Sequence, residues 1–172
     1  MSHEEIMREY ASQRARYAGK SVDELLAMTN GNEIDFIQAL EMAIQQKSER
    51  VGVDDLTEEE IIVLALEALE REVNNGGYSQ FFVNSSREYT PIIVHALLRA
   101  GCPKTAEITK SAIAAAGFQG LASMALAEAL NAYSGADNQE LDECDQLYYR
   151  AGENIGGRII AFAIANKNTI QP

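Results

Sequence analysis

Residues 70–86, EREVNNGGYSQFFVNSS, carry the strongest fold signal of the chain. A helical pattern reaches this stretch from residue 58. The pair Gly76-Gly77 interrupts it, because glycine adopts left-handed conformations at little cost and often ends helices. The run Gln80 to Val83 is short enough for a strand, but helical patterns flank it closely. We therefore predict a helix, a sharp turn and a second helix that packs inward.

Glu72 is the unusual residue of this stretch. On a helical wheel the other acidic residues of the helix share one side, whereas Glu72 falls among apolar side chains. A carboxylate there needs hydrogen bonds, and we expect them from backbone N–H groups after the glycines and from Gln80 and Asn84. Two interpretations stay open, a buried polar lock that fixes the turn or a small pocket that holds a ligand. The polar motif comprises Glu72, Asn74, Asn75, Gly76, Gly77, Gln80, Asn84 and Ser85.

Helix signals continue on both sides of this stretch. Capping-box spacings mark helix starts at Ser2, Ser21 and Thr57, and Thr90 before Pro91 marks another. The predicted helices cover roughly residues 3–18, 22–29, 33–49, 58–75, 77–85, 91–100, 104–116, 120–132, 139–149 and 153–166. The pattern predicts an all-α fold, a single compact domain of about eight to ten helices. We expect an N-terminal helical arm over residues 1–30 and the main helical domain over residues 31–172.

Charge limits the classes of partner. The 172 residues include 14 basic and 26 acidic side chains, which gives a net charge of −12. Such a chain repels nucleic acid and anionic membranes and attracts basic proteins. No apolar run is long enough for a membrane helix, and the N-terminus shows no signal-peptide pattern, so we expect a cytoplasmic protein.

The sequence contains no pattern typical of an enzyme. His3 and His95 lack metal-ligand spacing, and we expect His95 to lie in the core. Cys102 and Cys144 form no CxxC pair, and buried free thiols are the expected outcome. Nucleophile-elbow and phosphate-loop motifs are missing as well. We therefore predict no catalysis, no cofactor and no metal.

The central motif resembles the bacterial DNA-mimic protein family of the nineteen-kilodalton type. The resemblance lies in Glu72 and in Asn74 to Tyr78, together with Gln80, Phe81, Phe82, Asn84, Ser85 and Ser86. It continues through residues 91–116 and returns in residues 141–149, an acidic segment that ends in the pair Tyr148-Tyr149. About residues 57–165 are covered. The resemblance implies an all-helical homodimer whose acidic surface occupies the DNA site of a DNA-binding regulator.

Two acidic clusters are candidates for that surface. Carboxylates one helical turn apart are separated by about 6 Å of rise, so rows of them can imitate a line of phosphates. The candidate partner-binding residues are Asp54, Asp55, Glu59, Glu60, Glu67, Glu70, Asp137, Glu140, Asp142, Glu143 and Asp145. Acidic residues in a first helical turn are also favoured by the helix dipole, and a solvated face explains others.

Three functions remain open at this point. The chain is a carboxylate-presenting module that binds a basic DNA-binding regulator, an interaction or immunity-type helical module whose acidity is incidental, or a small-ligand protein centred on Glu72, Gln80 and Asn84.

Overall fold

The computed structural model describes residues 2–135 and 138–172, and within them the chain is helical without any β-strand. The α-helices of these ranges are α1 (His3–Tyr17), α2 (Val22–Met28), α3 (Glu33–Val51), α4 (Glu58–Val83), α5 (Ile93–Arg99), α6 (Pro103–Ala115), α7 (Ser123–Ala132), α8 (Gln139–Ala151) and α9 (Ile155–Ala165). Short 3-10 helices cover Val53–Asp55 and Ser85–Tyr89. The all-α class is confirmed, and so is the number of helices, since a kink divides α4 into two. None of the described helices is both long and apolar enough to cross a membrane.

The chain divides into two compact units. The first unit contains the residues up to Leu64 together with Ile159–Pro172, and the second contains Ala65–Arg158. Helices α4 and α9 each begin in one unit and continue in the other. The predicted boundary after residue 30 remains a prediction.

The first unit has its core along α3. Phe36, Leu40 and Ile44 of α3 are fully buried at steps of four, as is Leu25 of α2. Side-chain caps begin the helices of this unit. The predicted capping boxes at Ser2 and Ser21 are present, and Thr57 with Glu60 forms a third. These caps satisfy backbone N–H groups that a helix leaves open in its first turn.

The second unit packs α6 against both α5 and α8. Its core contains a set of aromatic rings around Phe82, which contacts Tyr78, Phe81, Phe118 and Tyr133 at centroid distances of 5.2–6.3 Å. Phe81 and Phe82 have no exposed surface and belong to α4, so the prediction of an inward-packed helix over this run is confirmed.

Two local predictions are wrong. Thr90 does not cap α5, because its backbone is itself helical (φ −50°, ψ −41°) and α5 begins only at Ile93. A capping residue needs an extended backbone for its oxygen to reach the following N–H groups. His95 is exposed, so it is not a core histidine. The apolar neighbours of His95 in sequence face other directions on the helix.

Candidate partner-binding site

The kink in α4 lies at Gly76 and Gly77, the two residues of this helix with non-helical backbone angles. Gly77 has φ 75° and ψ −176°, a conformation that residues with a Cβ essentially do not adopt. A Cβ at Gly77 would also lie 2.6 Å from Cγ of Asp145, inside van der Waals contact. At Gly76, a Cβ would lie 3.1 Å from Cδ of Gln80. Position 77 therefore needs glycine, whereas a side chain at Gly76, where φ is −166°, would require the side chain of Gln80 to shift.

Glu72 lies inside this turn and is 7% exposed. Gln80 Nε2 and Asn84 Nδ2 donate to its Oε2 at 2.8 and 2.7 Å, and Ser86 Oγ donates to its Oε1 at 3.1 Å. The Nε of Arg71 lies 3.7 Å from Oε1. The structure thus brings the three predicted residues together and adds Ser86 and Arg71. Both carboxylate oxygens are occupied by protein groups, which is the arrangement of a structural lock.

The charged state of Glu72 is stabilised by these contacts. Burial works to raise its pKa, but the hydrogen bonds from Gln80, Asn84 and Ser86 outweigh burial and hold the pKa below its ordinary value. Glu72 is therefore a carboxylate at neutral pH.

Asp145, not Glu72, accepts the backbone N–H that follows the glycines. Tyr78 N donates to Asp145 Oδ1 at 2.7 Å. A side chain of α8 therefore caps the part of α4 that follows the kink, residues 78–83, which we call the second arm. Burial raises the pKa of Asp145, and the hydrogen bond from Tyr78 opposes that rise. The expectation that backbone N–H groups would hold Glu72 is corrected here, because side-chain amides fill that role and leave Tyr78 N to Asp145.

The tyrosine pair of α8 extends the contact with α4. The hydroxyl of Tyr148 donates to Oε2 of Glu70, and the hydroxyl of Tyr149 donates to the carbonyl oxygen of Val73 at 2.7 Å. Burial and the nearby charge of Glu70 raise the pKa of Tyr148. Tyr148 therefore stays neutral and remains a hydrogen-bond donor. Glu70 is half-buried, so part of this predicted surface carboxylate serves the fold.

The predicted acidic residues of α8 divide into two groups. Glu140, Asp142 and Glu143 are exposed, and no residue in the described ranges forms an ion pair with them. Asp145 is half-buried at the kink. Asp137 lies outside the described residues. The inward side of α8 holds Leu141, Cys144 and Tyr148, so the three exposed carboxylates are directed away from the core.

The acidic residues of the first unit are divided in the same way. Asp54 and Asp55 are exposed on the 3-10 helix, and Glu59 is half-buried. Glu60 is fully buried, which corrects its assignment to the surface. Its oxygens accept from Lys47 Nζ at 2.8 and 2.9 Å, and from the backbone N of Thr57 and Gln171, both at 2.9 Å. Glu60 therefore fastens α3 and the C-terminal residues to the start of α4.

The remaining predicted residues make local contacts. Glu67 forms an ion pair with Arg71 one turn further along α4. Asn74 is exposed and its amide donates to the carbonyl oxygen of Glu70 at 2.7 Å. Asn75 and Ser85 are exposed.

Other polar residues of the second unit also serve the fold. The carboxylate of Glu153 accepts from Thr105 N and Oγ1, both at 2.8 Å, and so caps α6 from the loop before α9. Sequence patterns gave no signal for this cap, because the two residues are 48 positions apart.

The two cysteines are free and buried. Burial raises the pKa of Cys102 to about 11, and burial together with the nearby charge of Asp145 raises the pKa of Cys144. Both thiols are therefore protonated at neutral pH. Within the described residues, no three His, Cys, Asp or Glu side chains come together in a group that could hold a metal ion.

Comparison with protein families gives a match over the larger part of the chain. A family model described as DMP19-like protein matches residues 54–167, about two thirds of the chain. Neither the curated proteins nor the solved structures yield a match. The matched range includes the kink, the Glu72 lock and the acidic helix α8. The chain belongs to the DMP19-like protein family, the DNA-mimic family that its central motif resembles.

Proposed function

We propose that this chain is a DNA-mimic module that binds a basic DNA-binding regulator through exposed carboxylates and so keeps the regulator from DNA. Membership of the DMP19-like family is the observation that carries this function. We propose α8 as the main contact, because Glu140, Asp142 and Glu143 are exposed and no ion pair within the described residues neutralises them.

The geometry of α8 suits a row of negative charges. Residues three or four apart on a helix are neighbours, so Glu140 and Glu143 share one line, while Asp142 lies beside it. Their backbone is fixed from the other side of the helix, where Leu141, Cys144 and Tyr148 are buried. A preorganised row loses little conformational freedom when a partner binds.

The first unit offers a second group of carboxylates. Asp54 and Asp55 are exposed next to the start of α4, and we propose them as a further contact. Glu60 is not part of the proposed contact surface, because it is buried and paired with Lys47. Three other acidic residues contribute negative charge but already have a partner within the protein. Glu67 is paired with Arg71, Glu70 accepts a hydrogen bond from Tyr148, and Asp145 accepts one from the backbone N of Tyr78.

We further propose a cytoplasmic homodimer that acts in transcription regulation without catalysis. The family resemblance implies the dimer, and the high net negative charge favours binding to a basic protein. Analytical ultracentrifugation of the purified chain tests the dimer directly. A chain that stays monomeric up to a concentration of about 100 μM would overturn that part.

Competitive elution tests the main function. Proteins from a lysate of the source cells are bound to DNA-cellulose at low salt, and the purified chain is applied as the eluant. We expect it to release a basic DNA-binding protein at low salt, where the attraction between the acidic chain and a basic partner is least screened.

Two variants of equal charge change make the test specific. Glu140→Gln, Asp142→Asn and Glu143→Gln together remove three charges from α8. The control, Glu4→Gln, Glu33→Gln and Asp35→Asn, removes three exposed charges from outside the matched range. We expect the first variant to lose elution and the control to retain it.

The outcomes also separate the alternatives. Equal elution by both variants would mean that α8 is not the contact. If elution also survives the replacement of Asp54 and Asp55 by asparagine, the acidity is incidental, as in an interaction or immunity-type module. If no DNA-binding protein leaves the column at low salt, the mimic function itself is wrong. A ligand site centred on Glu72, Gln80 and Asn84 is not proposed, because protein groups occupy both oxygens of Glu72.

A further inference from the structure

A groove of about 580 Å³ lies in the second unit, between α7 and the segment that contains Ser85–Tyr89. Leu121, Leu126, Leu130 and Pro91 contribute apolar walls to this α7 groove. Small-molecule sites have volumes of roughly 300–1,000 Å³, with apolar walls and a few polar groups that orient the ligand. The α7 groove has that size and that kind of lining.

The position of α7 keeps the groove open. Leu130 is the buried residue of this ten-residue helix, and most of its other side chains are exposed. Helices as short as this depend on packing for their stability. Leu126 is half-buried and Ala127 is exposed, so these two lining residues keep apolar surface available to a molecule that fills the groove.

Arg87 is the cation of the groove. It is half-buried, and its Nη1 donates to the carbonyl oxygens of Val83 and Leu130 at 3.5 and 3.4 Å, which are long for hydrogen bonds. Within residues 2–135 and 138–172 no carboxylate lies in an ion pair with it. A guanidinium carries five N–H donors in a planar fork, and no group of the described residues accepts a hydrogen bond from Nε or Nη2.

This lack of a carboxylate is unusual in so acidic a chain. The half-buried Lys47 is paired with Glu60, whereas Arg87 is bonded only to backbone oxygens in the described ranges, although acidic residues outnumber basic ones 26 to 14. Glu88 lines the same groove but is exposed. A carboxylate ligand would give Arg87 the bidentate partner that its planar fork matches best.

We propose that the α7 groove binds a small amphipathic carboxylate. The carboxylate lies on Arg87, and the alkyl part lies against Leu121, Leu126 and Leu130. A monoanion is favoured over a phosphate ester, because a second negative charge would be repelled by Glu88 and by the net charge of the chain. This site is separate from the carboxylate surface of α8, so neither function depends on the other.

Calorimetric titration with decanoate tests the site in the full chain. We expect saturable binding of one decanoate per chain, and roughly tenfold weaker binding of octanoate, which has two fewer methylene groups to bury. Decanol and decyltrimethylammonium, which lack the carboxylate, are expected to bind at least fivefold more weakly than decanoate. If decyltrimethylammonium bound more tightly than decanoate, the net charge of the chain and not Arg87 would control the site, and the proposal would be overturned.

Two pairs of variants locate the binding. Arg87→Gln is expected to weaken decanoate at least fivefold and to leave decanol unchanged, which also reports that the groove persists. Arg158→Gln makes the same charge change at an exposed position of α9 and is expected to have no effect. Ala127→Phe fills the groove from an exposed position and should abolish binding, whereas Ala125→Phe, exposed on α7 but outside the lining, should not. Equal decanoate affinity of the wild type and either Arg87→Gln or Ala127→Phe would overturn the assignment.

Discussion

Glu72 and Glu60 are the two carboxylates that the described part of the fold buries, and each is surrounded by hydrogen-bond donors. A buried carboxylate without donors would be strongly unfavourable, so its partners determine whether it stabilises the protein. At Glu72 the donors come from within 14 residues along the chain. At Glu60 one of them, Gln171, lies 111 residues away.

That difference explains what could be predicted at the residue scale. A helical wheel shows correctly that Glu72 lies among apolar residues, and its partners are visible in the same stretch. The wheel puts Glu60 on the outer face of the same helix, because it contains no information on what packs there. Lys47 of α3 and the C-terminal residues cover that face, and only the tertiary structure reveals them.

Replacement of Glu72 by glutamine should reduce the free energy of unfolding by about 2 kcal/mol at pH 7, because it weakens three hydrogen bonds to a charged acceptor. The folded-state pKa of Glu72 is lowered, so its contribution is present above the unfolded-state pKa of about 4.3 and is lost as the pH falls through the folded-state value. Urea unfolding of the wild type and Glu72→Gln between pH 3 and 7 measures this difference.

The control for this experiment is Glu107→Gln, an exposed position of α6 that should change stability by less than about 0.5 kcal/mol. A difference between wild type and Glu72→Gln that stays constant down to pH 3 would contradict the role of the charge.

Replacement of Gly77 by alanine should destabilise the protein by about 3 kcal/mol or more. Alanine would strain the backbone at φ 75°, ψ −176° and collide with Asp145. Gly117→Ala provides the comparison, since Gly117 also has a positive φ (80°) but its Cβ would meet no atom within 4 Å. Its cost should be about 1 kcal/mol. Equal losses in denaturant unfolding would show that the contact with Asp145 costs nothing.

At the scale of the helices, α8 has a different function on each side. Leu141, Cys144 and Tyr148 are buried at steps of three and four, while Asp142 and Glu143 face solvent. Asp145 lies between the two sides and caps the second arm of α4. The acidic segment therefore contributes to the fold as well as to the surface charge.

Asp145→Ala should expose this structural role. Without the carboxylate, the amide of Tyr78 has no acceptor at the start of the second arm, and we expect a loss of about 1 kcal/mol and faster hydrogen exchange at that amide. Asp142→Ala removes a neighbouring exposed carboxylate of the same helix and should leave the exchange of Tyr78 unchanged. Hydrogen exchange at the amide of Tyr78, measured by NMR, distinguishes the two variants. Equal exchange rates at this amide in both variants would argue against the cap.

Helix boundaries were the best-predicted feature at this scale, because their causes are local. The boxes at Ser2, Ser21 and Thr57 depend on residues three positions apart, and each formed. The prediction for Thr90 is wrong because Thr90 follows the 3-10 helix directly and ends it, with Thr90 N donating to the carbonyl oxygen of Arg87 at 3.0 Å. The residue before a proline usually has an extended backbone, which is what a capping residue needs. The helical backbone of Thr90 is an exception to that rule.

At the scale of the whole molecule, the net negative charge is the main influence on how stability depends on salt. With a net charge of −12, the folded chain repels itself, and dissolved salt screens that repulsion. The paired carboxylates in the interior are screened much less, because they are out of contact with water.

The melting temperature should therefore rise by a few degrees between 20 and 300 mM sodium chloride. The variant that lacks the charges of Glu4, Glu33 and Asp35 should show a smaller rise, because it has less repulsion to screen. Thermal unfolding followed by circular dichroism measures both. A melting temperature that falls with salt in the wild type would indicate that exposed ion pairs, not repulsion, control its stability.

The contact between Gly77 and Asp145 also limits how sequences with this fold can change. The space that a Cβ at position 77 would need is filled by the carboxylate of residue 145, which in turn is the cap for residue 78. A larger residue at 77 would need both a different backbone conformation and a smaller residue at 145, and the second change gives up the cap and one negative charge. A glycine at 77 should therefore be retained during divergence wherever the acid at 145 is kept. The charges of Glu140, Asp142 and Glu143 can therefore be changed by design without altering the turn. A change of residue 145 also alters the cap of residue 78 and the packing on Gly77.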